Sequence, residues 1–189
     1  MNGIEREFKV AVMGEIMLTR PVSVYKEPDF LSVIELIRDA DVAITNIEGF
    51  GFTGFEAPRV VGTGGTPMCG ETWLADEFKW MGFNLVSIAN NHVVDFGSEG
   101  LLASIAALDA IRLTYAGAGR DLWEARQPGY VETKKGRAAM VASTSAGLHL
   151  GTGGSNALHT AATESGNGLP GRPGVNALRH DIVYTVTPQ

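Results

Sequence analysis

The alternation of short apolar segments with amphipathic ones most limits how this chain can fold. Three segments are apolar and rich in β-branched residues, which is typical of parallel strands covered on both faces. They read KVAVMG (9–14), DVAITNIE (41–48) and NLVSIAN (84–90). Because helical patterns separate them, the sequence predicts βαβ units with right-handed crossovers, and so an α/β fold with a mostly parallel sheet flanked by helices.

Three amphipathic helices are predicted, over 28–40, over 71–83 and from Ser98 onward. Gly82 is placed to end the second helix, and Ser98 is placed to cap the third. Apolar residues at helical spacing give each helix one core-facing side. In chain order these residues are Phe30, Val33, Ile34, Ile37, Leu74, Phe78, Met81, Leu101, Ile105, Leu108 and Ile111.

The last third of the chain changes in character. LTYAGAG (113–119) and RAAMVAS (137–143) are further strand candidates, and IVYTVT (182–187) is expected to be an edge strand. Between them, 144–180 is rich in Gly, Ser and Asn and lacks periodicity, so we predict a long loop region within a single domain of residues 1–189. Loops of this length usually cover a site or are disordered.

Composition limits the partners. A chain of 189 residues with a net charge of -6 and no Lys/Arg cluster argues against nucleic-acid binding and against a polybasic membrane patch. We therefore expect a small-molecule or peptide substrate. No segment is long and apolar enough to span a membrane, and the N-terminus does not resemble a signal peptide. The single cysteine, Cys69, leaves no internal disulfide, so a cytoplasmic location is expected.

Polar side chains follow each of the first three predicted strands. In open α/β sheets, ligands bind outside the carboxyl ends of the strands. Oxygen and nitrogen donors without thiolates suit a divalent manganese, iron, zinc or magnesium ion, one or two of which could activate water. The GTGGTP segment (62–67) lacks the Lys-Ser/Thr ending of a phosphate-binding loop. The polar residues are Glu15, Asn46, Glu48, Asn90, Asn91, His92 and Asp95.

Each of these residues also has an ordinary structural explanation. Asn and Asp are common turn formers, and a single histidine can simply bond a backbone carbonyl. Glu48 differs, since a carboxylate ending an apolar strand is costly to desolvate unless it is paired or metal-bound, although exposure would remove that cost. The prediction of a site therefore depends on all the groups meeting at one edge.

These residues lie in segments that resemble the bacterial capsule-synthesis CapA family, also called poly-γ-glutamate synthesis proteins. The fold of that family is similar to calcineurin-like metallophosphatases. The most specific segment is ANNHVVDFGSEGL (89–101), with the pattern NNHxxDxG. The others are GEIMLTRPV (14–22), DVAITNIEG (41–49), YAGAGRDLWEARQP (115–128) and GRPGVNALR (171–179).

The resemblance implies a metallophosphatase-like α/β sandwich with a metal centre at the strand ends. By analogy Glu15, Glu48 and Asn91 hold the metal, His92 acts as an acid or stabilises developing charge, and Asp95 orients His92. The remaining predicted contacts are to substrate. Arg20 is expected to bind an anionic group, and Asn46 and Asn90 line the same edge.

Two departures from the family pattern bear on the site. The family usually has Asp at the position of Glu15, and the extra methylene displaces the carboxylate by about 1.5 Å. Family members are also commonly longer, with further histidine ligands in the C-terminal half, whereas this chain has His149, His159 and His180 after His92. The site is thus incomplete, completed by a second chain or by a missing C-terminal half, or rebuilt with these histidines.

Two functions follow from different classes of protein. The first is a metal-dependent hydrolase-like enzyme acting on phosphoesters or on acidic amide or peptide compounds. The second is a non-catalytic accessory or binding protein in poly-γ-glutamate capsule or envelope synthesis, with an eroded site. A third hypothesis is that the 189 residues are an inactive fragment of a longer protein.

Overall fold

The computed structural model describes residues 7–48, 50–53, 57, 67–145 and 161–178. In chain order its elements are β1 (Val10–Ile16), α1 (Pro28–Arg38), β2 (Val42–Ile47), β3 (Phe50–Phe52), β4 (Met68–Gly70), a 3-10 turn (Thr72–Leu74), α2 (Ala75–Met81), β5 (Leu85–Ser87), α3 (Gly97–Ala110), β6 (Thr114–Ala116), β7 (Ala118–Gly119), α4 (Leu122–Ala125), β8 (Gly129–Glu132), β9 (Arg137–Met140) and β10 (Gly174–Val175).

The centre is a four-stranded parallel sheet in the order β1-β2-β5-β6. Each connection between neighbouring strands carries one of the helices α1, α2 and α3, so the predicted α/β fold is confirmed. The three helices and one sheet face share a hydrophobic core, in which Ala43 and Val86 of the sheet are fully buried. From the helices, Ile34, Phe78 and Leu101 belong to the same core.

The opposite sheet face is covered only in part by the described residues. The antiparallel hairpin of β8 and β9 lies over β5 and β6, close enough that a Cβ on Gly129 would be 3.1 Å from Leu85 Cδ1. On β1, by contrast, Val10 and Val12 are 50% and 69% exposed. The expectation that the strands are buried on both faces is therefore wrong for β1, over which the described chain places no element on that side.

Four local predictions need correction or extension. Val33 was assigned to the core-facing side of α1 but is 42% exposed, because Ile34 and Ile37, with Phe30 beside them, make the contact with the core. The N-cap of α3 is Phe96, because two consecutive turns ending at Gly97 start the helix before Ser98. The strand in 137–143 pairs with β8 in a separate hairpin.

The fourth concerns the paired strands β3 and β4, which sequence periodicity did not reveal because each is only three residues long.

Segment 182–187 and most of 62–67 lie outside the described residues. In 161–178, within the predicted loop region 144–180, regular structure is limited to the two-residue β10, which pairs with β7. The single-domain and loop-region assignments stay predictions. Across the described helices, none combines the length and hydropathy needed to cross a membrane.

Gly117 should be intolerant of a side chain. Its φ is +103°, and a Cβ there would lie 2.5 Å from Ala89 Cβ and 2.9 Å from Ala142 Cβ. We expect Gly117→Ala to lower the free energy of unfolding by about 1–3 kcal/mol through backbone strain and overpacking. Urea denaturation measures this loss. Gly166→Ala is the control, because no atom lies within 4 Å of its Cβ position. Equal stability of the two variants would contradict the prediction.

Candidate functional site

The carboxyl ends of β1, β2 and β5 lie side by side, since these strands are parallel neighbours in the sheet. Glu15 of β1 is paired with Asn46 of β2. The Asn90 side chain, after β5, donates from Nδ2 to the Ile47 carbonyl at 2.6 Å. Polar groups far apart in sequence are thus brought to one edge of the sheet.

Glu48 lies half-buried at this edge, and Asn46 Nδ2 donates to its Oε2 at 2.6 Å. Burial raises the pKa of Glu48 above its ordinary value, and the neighbouring Glu15 and Asp95 charges raise the pKa further. The Asn46 bond and the imidazole of His92 act in the opposite direction on the same pKa. Because desolvation and two nearby carboxylates disfavour the charged form of Glu48, a bound cation would stabilise its carboxylate.

His92 and Asp95 form a direct pair. His92 Nδ1 lies 2.8 Å from Asp95 Oδ2, and the two side chains are 19% and 2% exposed. The turn between them is fixed by a bond from the Asp95 amide to the His92 carbonyl. When Nδ1–H donates to the carboxylate, Nε2 is the basic nitrogen left for a ligand or substrate.

Asn90 links the His92 backbone to strand β2. Its Oδ1 accepts from the His92 amide at 3.0 Å, while its Nδ2 donates to Ile47. The side chain is buried, and both ends of its amide bond the backbone. In the structure Asn90 therefore fixes His92 relative to β2, and the substrate contact predicted for it stays a prediction.

Two buried oxygens at this edge, Asn46 Oδ1 and Asp95 Oδ1, have no hydrogen-bond partner among the residues that the structure describes. A buried acceptor without a partner costs about 1–3 kcal/mol, so such atoms usually contact an ion or water. Their carboxylate and amide chemistry fits a hard or borderline divalent cation. Within the described ranges, however, no three His, Cys, Asp or Glu side chains are grouped to hold a metal ion. A ligand set at this edge would therefore need amide oxygens.

Exposure is what the structure gives for the other predicted site residues. Glu15 and Arg20 are exposed, and Asn91 is partly exposed next to His92. Of the later histidines, His149, His159 and His180 fall outside the described residues, so their proposed contribution stays a prediction.

Glu77 is a buried residue that sequence reasoning missed. Its carboxylate accepts from the Val22 and Ser23 amides at 2.9 and 2.8 Å and from Ser23 Oγ at 2.8 Å. These bonds fasten the segment after β1, which carries Arg20, to helix α2. In the sequence Glu77 looks like any polar residue of an amphipathic helix, so only the long-range contact reveals its role.

The central sheet, its helices and the polar strand ends define a metallophosphatase-like α/β protein. A family model described as bacterial capsule synthesis protein PGA_cap matches residues 9–183. The chain belongs to this family, as the resemblance in its motifs predicted.

The chain is also similar to curated proteins. The chain is 29% identical to uncharacterized protein y4sH of Sinorhizobium fredii over 183 residues, which cover 96% of this chain and 38% of that protein. It is 38% identical over 63 residues to a Mycobacterium tuberculosis protein named "Probable polyglutamine synthesis accessory protein Rv0574c", covering 33% of this chain and 17% of the relative. The chain thus spans about two fifths of the first relative's length.

Removal of the Glu77 carboxylate should loosen the segment after β1. We expect Glu77→Ala to destabilise the protein by about 1–3 kcal/mol, because three part-buried donors of Val22 and Ser23 lose their acceptor. Hydrogen exchange should become faster at the Val22 and Ser23 amides. Asp76→Ala, an exposed neighbour on α2, is the control and should cost at most about 0.5–1 kcal/mol. Unchanged exchange at both amides would show that Glu77 does not hold the segment.

Glu48 should make the metal-free protein less stable as pH rises. Because the pKa of Glu48 is raised above 4.5 on folding, the folded state keeps its proton when the unfolded state has lost it. Stability is therefore lost between pH 4.5 and the raised value. In chelator, Glu48→Gln should gain stability relative to wild type as pH rises through this window, measured by urea denaturation at several pH values. A pH-independent difference would be the contrary result.

Proposed function

We propose that this protein is a metal-dependent hydrolase-like enzyme acting on phosphoesters or acidic amide or peptide compounds. The observation that carries the proposal is the His92–Asp95 pair beside Glu48, where two buried oxygens lack partners within the described part of the chain. An imidazole held by a buried carboxylate is typical of proton transfer. A desolvated carboxylate with acceptors around it is typical of cation binding.

Glu15, Glu48 and Asn91 would hold one or two divalent ions, with Asn46 Oδ1 as a further oxygen donor. The candidate ions are manganese, iron, zinc and magnesium. When bound, such an ion polarises an acyl or phosphoryl oxygen and lowers the pKa of coordinated water to about 7. Further ligands would come from a second chain, from a C-terminal half or from the later histidines.

His92 would handle the proton on the leaving group. Its Nδ1 is engaged by Asp95, which fixes both the tautomer and the ring orientation. Nε2 is then the nitrogen that meets the substrate. Asp95 therefore acts through His92 and is itself buried.

Arg20 would bind the anionic part of the substrate. It is exposed on the segment that follows β1, close in sequence to Glu15, and its guanidinium can form two parallel bonds to a phosphate or carboxylate. Asn46, whose Nδ2 donates to Glu48, would lie beside the substrate at the same edge and act on it through Glu48 and the metal.

A second candidate is a non-catalytic accessory protein in poly-γ-glutamate or envelope synthesis. It is favoured by the absence, among the described residues, of three grouped His, Cys, Asp or Glu side chains for a metal. The name of the mycobacterial relative also points to an accessory role for that protein.

Metal analysis and turnover together separate the candidates. We expect protein purified without chelator to hold about one or two transition ions per chain, and metal-dependent hydrolysis to appear in a panel of phosphoesters and γ-glutamyl peptides. Glu48→Ala should lose the metal. His92→Ala should keep the metal but lose turnover by roughly 100-fold or more, as expected for removal of a general acid.

The exposed Asp39→Ala, which precedes the start of β2 and so lies at the opposite end of the strands, is the matched control and should keep both properties. Absence of tight metal in the wild type would favour the accessory role. Full activity in both the Glu48→Ala and His92→Ala variants would refute the assignment of the site.

A further inference from the structure

Strand β1 contains one extra residue relative to β2. Val12 is paired with Ile44, yet the next aligned pair is Glu15 with Asn46. The chain thus advances three residues in β1 and two in β2, which is the pattern of a β-bulge at Met13 and Gly14.

The bulge changes which face of the sheet Glu15 occupies. Ala11 and Ile16 both pack against the helical core, although an odd separation would put them on opposite faces of a regular strand. Glu15 therefore faces the same side as its partner Asn46. Without the extra residue, Gly14 would pair with Asn46 and Glu15 would turn toward the apolar core.

Thr45 stabilises the bulge from the neighbouring strand. Its Oγ1 donates to the Gly14 carbonyl at 2.8 Å, and the residue is 1% exposed. Its neighbours two positions away on β2, Ala43 and Ile47, are both apolar core residues. A hydroxyl in such a row is costly unless it forms a hydrogen bond, and here its acceptor is the carbonyl at the bulge.

We propose that Thr45 is a positioning residue, whose hydroxyl holds the β1 bulge and so turns Glu15 toward Asn46 at the sheet edge. Thr45 acts through the backbone, by its 2.8 Å bond to the Gly14 carbonyl; the Asn46 carbonyl lies farther from the same hydroxyl, at 3.5 Å. The consequence for metal binding rests on the proposed function, in which Glu15 is a ligand.

A cross-linking experiment tests the positioning without any metal. In a Cys69→Ser background, Glu15→Cys and Asn46→Cys place two thiols on paired residues of one face, within reach of methanediyl bismethanethiosulfonate. Mass spectrometry gives the rate of cross-linking. We expect Thr45→Val to slow the reaction roughly threefold to tenfold, the loss that one hydrogen bond corresponds to. Thr45→Ser keeps the hydroxyl and should stay within about twofold.

Equal cross-linking rates in the Val and Ser variants would overturn the proposal. If Thr45→Val does not fold, Thr45→Ala compared with Thr45→Ser decides the same point.

A second measurement connects the bulge to the metal. By calorimetry with manganese, the protein with native Glu15 and Asn46 should lose affinity roughly threefold to tenfold in Thr45→Val and keep it in Thr45→Ser. No manganese binding in the wild type would count against the proposed function, while the cross-linking rates still decide the role of Thr45. Wild-type affinity in Thr45→Val would overturn the positioning role for the metal.

Discussion

Parallel pairing of β1, β2 and β5 is the constraint on which the site depends. It places three strand ends at one edge, where Glu15 meets Asn46 and Asn90 reaches the Ile47 carbonyl. The helices on one face supply the apolar burial that holds these strands together. Without that packing, residues separated by more than 40 positions, such as Ile47 and Asn90, would have no reason to meet.

The edge also concentrates unfavourable electrostatics. Glu48 is partly desolvated close to Glu15 and Asp95, which raises its pKa, and two buried oxygens have no partner in the described ranges. Such features weaken a fold and persist where function requires them. By contrast, the buried Glu77 carboxylate has three donors and serves the structure. The difference between the half-buried Glu48 and the buried Glu77 distinguishes a candidate ligand from a structural residue.

Membership of the PGA_cap family and the local geometry bear on different questions. The family match covers residues 9–183 and fixes the relationship. The chemistry has to be argued from the side chains, because relatives of one fold differ in their sites. The His92–Asp95 pair supports catalysis, and the sparse set of charged ligands in the described part of the chain keeps an accessory role open to test.

The sequence by itself determined the strand and helix alternation, the core positions of α2 and α3, and the kinds of polar residue at the strand ends. These features can be seen in the local sequence pattern, because the burial of one face of a helix or strand sets the spacing of its apolar residues. Only the tertiary structure decided that Asn90 bonds the Ile47 carbonyl, that Glu77 is buried and that a bulge turns Glu15 toward Asn46. The partners of a polar side chain depend on which distant segments pack beside it, and no local pattern records that choice.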